Sequence, residues 1–162
     1  MNHEESKLQQ TCVAWFRSEY PHFAMLLTHP INEGSKNTRV TGAIHKAEGT
    51  VAGVTDLLFF LSAVFWNDNS SIGTEYHGLG IEFKWEKGRQ SQEQKEFQKM
   101  FEAAGYRYVV IRDKESFEKE INTWIAHAYV PTKNRIFDAY MDIKKAAEAK
   151  EREKFNKIIG KK

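Results

Sequence analysis

The hydrophobic residues of this chain follow two spacings, one typical of helices and one typical of strands. Apolar residues three or four positions apart predict helices from residue 4 to about 20, after Ser91 and after Lys114. Short apolar runs predict four strands, at residues 23–27, 56–61, 77–85 and 106–111. This order predicts an α/β domain whose mixed central sheet is flanked by helices.

The remaining segments predict loops and further helices. Turn-forming residues predict an exposed loop at 29–37, and a short helix is expected at 38–47. Pro131 is expected to end the helix that begins near Lys114, and the tail from Arg135 predicts a last helix because it is rich in Ala, Lys and Glu. We therefore expect a domain at 1–130 and a C-terminal helical extension at 131–162, partly mobile.

Composition narrows the classes of protein to consider. The 162 residues, 41% hydrophobic and 28% charged, are typical of one globular domain, and the formal charge of +2 does not by itself indicate a nucleic-acid binder. The single cysteine, Cys12, excludes an intramolecular disulfide and a cysteine-based zinc site. The polar, acidic start lacks the pattern of a secretion signal, so we expect a cytoplasmic protein. The most apolar run, 51–66, is shorter than the ~20 residues of a membrane span, so no membrane partner is expected.

Two carboxylates stand at the predicted centre of the sheet. Asp56 enters one strand and Glu82 lies within the next, where two ionised carboxylates would repel unless a cation lay between them. A hard, oxygen-binding metal such as Mg²⁺ is the natural occupant. Lys84, two residues after Glu82, lies on the same face of the strand. These three residues can therefore converge on a phosphate and an attacking water.

The spacing of a glutamate two residues before a lysine is not specific by itself. It occurs four times, at Glu5/Lys7, Glu82/Lys84, Glu93/Lys95 and Glu148/Lys150. Three of these pairs fall in predicted helices, where residues i and i+2 diverge, and one lies in an apolar strand. The alternative is a strand-initiating cap at Asp56 and a surface ion pair at Glu82/Lys84, worth at most ~1 kcal/mol. Burial in apolar sequence disfavours that alternative.

Ser91 and Gln94 fit a capping box that starts the helix after Ser91. In that motif the side chain of the N-cap residue accepts from the N3 backbone, and the N3 side chain accepts from the N-cap backbone. Capping explains Gln94 without any substrate, and this reading is compatible with a role in an active site.

Four segments in this order resemble the VRR-NUC group of the PD-(D/E)xK nuclease superfamily, over roughly residues 4–125. They are residues 53–57 (GVTDL), 81–84 (IEFK), 88–94 (GRQSQEQ) and 105–108 (GYRY). Thr55 and Gln92 stand where the family usually has proline.

The resemblance implies a restriction-endonuclease-like fold and a metal-dependent phosphodiesterase. Asp56, Glu82 and the Phe83 carbonyl would bind Mg²⁺ or Mn²⁺, Lys84 would act on the attacking water, and Gln94 would be an auxiliary active-site residue. Superfamily members commonly add a glutamate of the first helix, for which Glu5 is preferred to Glu4. A favourable charge in the helix's first turn is the alternative for Glu5.

The resemblance also implies substrate and assembly. Stand-alone members are small, typically phage-associated, and resemble Holliday-junction resolvases in acting as homodimers, so branched DNA is the expected partner, with no nucleotide cofactor. Trp124, Tyr129 and Phe137 are candidate dimer contacts.

Five side chains of loops beside the site are candidates for DNA contact, although a solvated loop is their alternative: Lys36, Arg39, Lys87, Arg89 and Ser91. His29, His45 and His77 do not have the spacing of a metal triad and are expected to be structural or close to the substrate. Rival functions are a non-catalytic nucleic-acid binder on the same fold, a flap or single-strand nuclease and an RNA-directed nuclease.

Overall fold

The structure is a computed structural model that describes residues 3–30, 47–66 and 73–159. Its helices are α1 (His3–Glu19), α2 (Gln92–Ala103), α3 (Lys114–His127) and α4 (Val130–Ile159), with a 3₁₀ helix at Pro21–Leu26. Its strands are β1 (Leu27–Thr28), β2 (Leu57–Phe59), β3 (Ala63–Phe65), β4 (Thr74–Tyr76), β5 (Leu79–Phe83) and β6 (Arg107–Ile111). The expected class, a mixed α/β fold with a C-terminal helix, is confirmed.

The central sheet has the order β1-β2-β5-β6. Strand β2 pairs antiparallel with β1 and β5, whereas β5 pairs parallel with β6, so the sheet is mixed as predicted. Every residue of β5 is buried, including Glu82, as in a strand that is covered on both faces. Its side chains alternate between the two faces. Phe83 meets Phe117 of α3 with ring centroids 5.9 Å apart, whereas Gly80 faces Phe101 of α2.

The predicted strand at 23–27 is wrong over most of its length. Residues Pro21–Leu26 form a 3₁₀ helix, and only Leu27 and Thr28 are extended. Pro21 stands at the start of that helix, a position that its fixed φ angle favours. Phe23 of this helix and Leu27 of β1 are both buried.

The apolar run at 51–66 contains two short strands instead of one long strand. Strand β2 ends at Phe59, and the Phe60 N–H donates to the Leu26 carbonyl at 2.9 Å. Strand β3 then pairs with β4 in a separate two-stranded sheet that the sequence analysis did not predict. The predicted loop at 29–37 and helix at 38–47 lie almost entirely outside the described residues.

Trp124 is a core residue and not a candidate dimer contact. It is completely buried, and its indole Nε1 donates to the Leu61 carbonyl at 2.8 Å. The expectation that it lies at a subunit surface is therefore wrong. Tyr129 and Phe137, in contrast, are exposed.

The chain forms two compact units, residues 1–128 and 129–162. Helix α3 ends at His127, three residues before the predicted boundary, and Pro131 lies in the first turn of α4 instead of ending α3. A proline is tolerated there because the first N–H groups of a helix have no intrahelical acceptor. Among the described residues, none of the helices is long and apolar enough to cross a membrane.

Candidate active site

The two predicted carboxylates face each other across the centre of the sheet. Leu57 pairs with Ile81, so extending the register by one residue places Asp56 opposite Glu82. The main-chain N–H of Phe83 donates to Asp56 Oδ2 at 2.7 Å, which ties the two strands together at this point. The structure therefore brings Asp56 and Glu82 together, and Phe83 contacts Asp56 through its N–H.

Glu82 is a completely buried carboxylate that accepts hydrogen bonds from three side chains. Lys84 Nζ donates to Oε1 at 2.7 Å, the Gln94 amide donates to the same oxygen, and the Tyr108 hydroxyl donates to Oε2 at 3.2 Å. Both oxygens are thus held in place. Lys84, itself 9% exposed, reaches Glu82 because residues i and i+2 of an extended chain share a face.

The electrostatic environment of the pair is unfavourable for two negative charges. Burial raises the pKa of Asp56, and the hydrogen bond from Phe83 and the charge of Lys84 offset part of that effect. Burial and the charge of Asp56 raise the pKa of Glu82, and Lys84 and Tyr108 act in the opposite direction. The pKa of Tyr108 is raised as well, by burial and by Glu82, so its hydroxyl stays a neutral donor.

The buried polar side chains of the described residues cluster in this region: Glu5, Gln9, Thr55, Glu82 and Lys84. Asp56 is partly buried beside them. Against the carboxylates of Asp56 and Glu82 stands one buried lysine, so the ionised cluster keeps a negative charge. A buried negative charge with oxygen donors fits a hard divalent cation.

The side chains that could bind a metal ion here are fewer than those of a closed metal site. Within residues 3–30, 47–66 and 73–159, no group of three or more His, Cys, Asp or Glu side chains could hold a metal ion. The predicted set combines the carboxylates of Asp56 and Glu82 with the Phe83 main-chain carbonyl, and Glu5 is a further candidate. Such a set leaves coordination positions for water and phosphate, which Mg²⁺ commonly retains in phosphoryl-transfer sites.

Glu5 of α1 lies at the edge of this cluster. It is 9% exposed, and its Oε1 accepts from the Trp85 main-chain N–H at 3.0 Å. Its charge also contributes to the raised pKa of Asp56. Glu4, in contrast, is exposed and pairs with Lys7. The structure therefore brings the preferred glutamate, and not its neighbour, close to the carboxylate pair.

The capping box at the start of α2 is confirmed, and it orients Gln94 towards the site. The Gln94 N–H donates to Ser91 Oγ at 3.2 Å, and Gln94 Oε1 accepts from the Ser91 N–H at 2.9 Å. The amide nitrogen remains free to donate to Glu82. Gly53, with φ +78°, allows the chain before Asp56 to approach this helix end, because a Cβ there would lie 2.4 Å from the Glu93 carbonyl.

The candidate DNA contacts have different positions. Lys87 and Arg89 are exposed on the loop that follows Lys84, and neither has a hydrogen bond or ion pair within the part of the chain that the structure describes. Ser91 is exposed and occupied as the N-cap. Lys36 and Arg39 lie outside the described residues.

Sequence reasoning missed Tyr108, whose contact with Glu82 joins residues 26 positions apart. His29, which was expected to be structural or close to the substrate, has its Nδ1 2.6 Å from the Asp56 carbonyl oxygen. That oxygen can only accept, so Nδ1 carries the proton. Thr55 is completely buried beside them, and its hydroxyl has no hydrogen-bond partner among the described residues.

Comparisons with known proteins identify the fold. No protein-family model matches the chain, and no curated protein matches it significantly. Among solved structures, a VRR_NUC domain protein matches with a TM-score of 0.61 and 22% identity, over 78% of this chain and 92% of that chain. At this identity the likeness concerns the fold alone: the chain shares the fold of a VRR_NUC domain protein.

Proposed function

We propose that this chain is a metal-dependent DNA endonuclease that hydrolyses phosphodiester bonds at the cluster of Asp56, Glu82 and Lys84. The observation that carries the proposal is the burial of Glu82 beside Asp56 in an apolar sheet. Two neighbouring carboxylates that share one buried lysine destabilise a fold, so we infer that they are present for function. The fold shared with a VRR_NUC domain protein supports the same function.

Asp56, Glu82 and the Phe83 carbonyl would hold Mg²⁺ or Mn²⁺, with Glu5 next to them. The bound ion would lower the pKa of a water molecule and stabilise the charge that develops on the phosphate. The structure fits this role because the donors are oxygens and the cluster has excess negative charge. Tyr108 and Gln94 hold the Glu82 carboxylate in a single orientation.

Lys84 would act on the reacting groups themselves. Its ammonium is fixed by Glu82 at 2.7 Å and is almost completely buried, so its charge is little screened by solvent. In that position it can orient the attacking water and neutralise charge on the scissile phosphate. Lys87, Arg89 and Ser91, with Lys36 and Arg39, are proposed to contact the DNA backbone.

Branched DNA, such as a Holliday junction, is the proposed substrate, and a homodimer is the proposed assembly. Two symmetry-related sites can cut two strands of one junction in a coordinated way. Tyr129 and Phe137 remain candidate contacts because both are exposed apolar residues. Light scattering should therefore give about twice the mass of one chain.

The proposal is tested by the nicking of supercoiled plasmid DNA. We expect cleavage in Mg²⁺ or Mn²⁺, no cleavage in EDTA, and little in Ca²⁺, which is larger and a poorer activator of water. Asp56→Ala should be inactive. An excess of RNA should not compete with a labelled four-way junction.

Equal cleavage in EDTA and Mg²⁺, or activity of Asp56→Ala at the wild-type rate, would contradict the proposal. Tight junction binding without cleavage under any metal would instead favour a non-catalytic binding protein on this fold.

A further inference from the structure

A cleft of about 410 Å³ lies between helix α1 and the β1–β2 edge of the sheet. Its walls include Gln9, Val13, Ala14 and Arg17 from α1, with Leu57 and His29 opposite. One end of the cleft adjoins the candidate active site, because His29 bonds to the Asp56 main-chain carbonyl and Gln9 lies one turn after Glu5 on α1. A molecule at that end of the cleft would therefore lie close to Asp56 and Glu5.

The cleft combines an apolar wall with polar groups at its two ends. Val13 and Ala14 form accessible apolar surface, whereas Leu57, on the opposite side, is buried. Gln9 lies at the end near His29, and Arg17 lies about 12 Å further along α1, given the 1.5 Å rise per residue of a helix. Arg17 is exposed and has no hydrogen bond or ion pair among the residues that the structure describes. Its charge is available to an anionic ligand.

Gln9 is a buried amide that lacks a satisfactory partner. Its side chain is 9% exposed, and its Nε2 lies 3.3 Å from His29 Nδ1. Since Nδ1 donates its proton to the Asp56 carbonyl, it cannot also accept from Gln9. The amide has no other hydrogen bond within the described residues. A buried amide of this kind costs free energy unless a ligand or water completes its bonds.

We propose that this cleft binds one unpaired nucleotide of the DNA substrate, next to the scissile bond. The inference rests on the proposed nuclease function and specifies its substrate. The apolar wall would contact the face of the base, the Gln9 amide would bond to a base edge, and Arg17 would bind a phosphate beyond the scissile one. The volume suits a small ligand and excludes a duplex.

The proposed subsite favours DNA with unpaired nucleotides over continuous duplex. A paired, stacked base cannot enter the cleft without the cost of unpairing, which is lowest at a branch point or a single-stranded end. The carboxylate pair would then cut close to such discontinuities. Selection of branched DNA would thus come from access of an unpaired nucleotide to the cleft.

Two substitutions test the cleft without touching the carboxylates. Ala14→Phe fills the cleft from an exposed position of α1 and removes no hydrogen bond, whereas Arg17→Gln removes the charge at its far end. Lys119→Gln, on the exposed surface of α3, is the matched loss of one positive charge away from the cleft. Thermal unfolding checks that each variant folds, and Arg17→Gln keeps the test valid if Ala14→Phe does not.

The measurement is fluorescence anisotropy of labelled single-stranded oligothymidine and of the corresponding blunt duplex, both in Ca²⁺ to prevent cleavage. Ala14→Phe should weaken single-strand binding by about tenfold or more, the effect of losing contact with one base. Arg17→Gln should reduce the salt slope of single-strand binding by roughly one. Neither variant should change duplex binding, and Lys119→Gln should behave as wild type in both.

The inference is overturned if the wild type does not bind the single strand, or if both cleft variants bind it like the wild type. It is also overturned if the variants lose duplex and single-strand affinity equally. These results are independent of the proposed function, because binding is measured without cleavage. A chain that binds the single strand in the cleft but never cuts DNA would refute the nuclease and leave the nucleotide site standing.

Discussion

Two Glu–Lys pairs of this chain have the same chemistry and opposite environments. Glu82 and Lys84 of the central sheet have side chains that are 1% and 11% exposed, whereas Glu153 and Lys157 of α4 are 64% and 71% exposed. An exposed pair at i and i+4 contributes a few tenths of a kcal/mol and occurs on many helices. A buried pair beside a second carboxylate does not stabilise its fold efficiently. Burial, and not the residue types, therefore distinguishes a candidate active site from a surface ion pair.

Of the substitutions in these two pairs, Lys84→Ala is expected to have the largest effect on cleavage. Removal of the buried ammonium should lower the single-turnover cleavage rate of a four-way junction by ~10²-fold or more, the scale for loss of a transition-state charge partner. Affinity for the junction in Ca²⁺ should change much less, because one phosphate contact among many contributes little. Lys157→Ala should leave both quantities unchanged.

Arg89→Ala should show the opposite pattern to Lys84→Ala if its loop touches DNA, with weaker and less salt-sensitive binding and an unchanged saturated rate. A Lys84→Ala protein that loses affinity and keeps its saturated rate would assign Lys84 to binding instead of chemistry.

A smaller effect is expected for Tyr108→Phe, which removes one hydroxyl from the Glu82 carboxylate. The loss of a group that orients a metal ligand typically weakens metal binding by 10- to 100-fold. Calorimetry with Mn²⁺ in the absence of DNA should therefore give a dissociation constant about tenfold higher than that of the wild type. Tyr106→Phe, two residues earlier, is the matched control. Unchanged Mn²⁺ affinity in Tyr108→Phe would show that the hydroxyl does not position Glu82.

The raised pKa values of Asp56 and Glu82 predict how stability depends on pH. A carboxyl whose folded pKa is raised binds its proton more tightly in the native state, so the metal-free protein loses stability as pH rises above the unfolded value near 4. Asp56→Asn should remove part of this loss and raise the melting temperature in EDTA at neutral pH.

Mg²⁺ should raise the melting temperature of the wild type and not that of Asp56→Asn, since the ion neutralises the same charge. Scanning calorimetry at several pH values tests both statements. A melting temperature in EDTA that rises with pH between about 4 and 7, and is lowered by Asp56→Asn, would contradict the account.

The smallest expected effect is that of Ser91→Ala on stability. Loss of the N-cap acceptor should lower the free energy of unfolding by about 1 kcal/mol, measured by urea denaturation. Gln94 depends on the same motif, so cleavage should decline as well. Ser116→Ala is the comparison at the start of α3, where the hydroxyl donates to the N-cap residue Asp113 and is not itself the cap acceptor. Wild-type stability of Ser91→Ala would show that the Ser91 hydroxyl does not stabilise the start of α2.

The sequence was most informative where structure depends on neighbouring residues. The capping box of Ser91 and Gln94 spans three positions, and the convergence of Glu82 and Lys84 follows from strand geometry alone. The sequence also predicted that Asp56 and Glu82 lie on neighbouring strands, because each belongs to a clearly apolar segment.

Prediction failed where distant contacts decide the outcome. The run at 51–66 breaks after Phe59, where Phe60 bonds to Leu26 and the Leu61 carbonyl bonds to Trp124. Tyr108 and His29 reach the site from residues far along the chain, and no local spacing indicates such contacts. For the same reason Trp124 was predicted to be a dimer contact, although it is buried in the core.

The most direct test of the account is Mn²⁺ binding to the purified chain without DNA, followed by electron paramagnetic resonance. Glu82→Gln preserves size and removes one buried charge, and Glu153→Gln makes the same change on the exposed surface of α4. We expect the wild type and Glu153→Gln to bind Mn²⁺ alike and Glu82→Gln to lose the site while keeping its fold. Equal Mn²⁺ affinity in all three proteins would contradict the claim that the buried carboxylate pair is a metal centre.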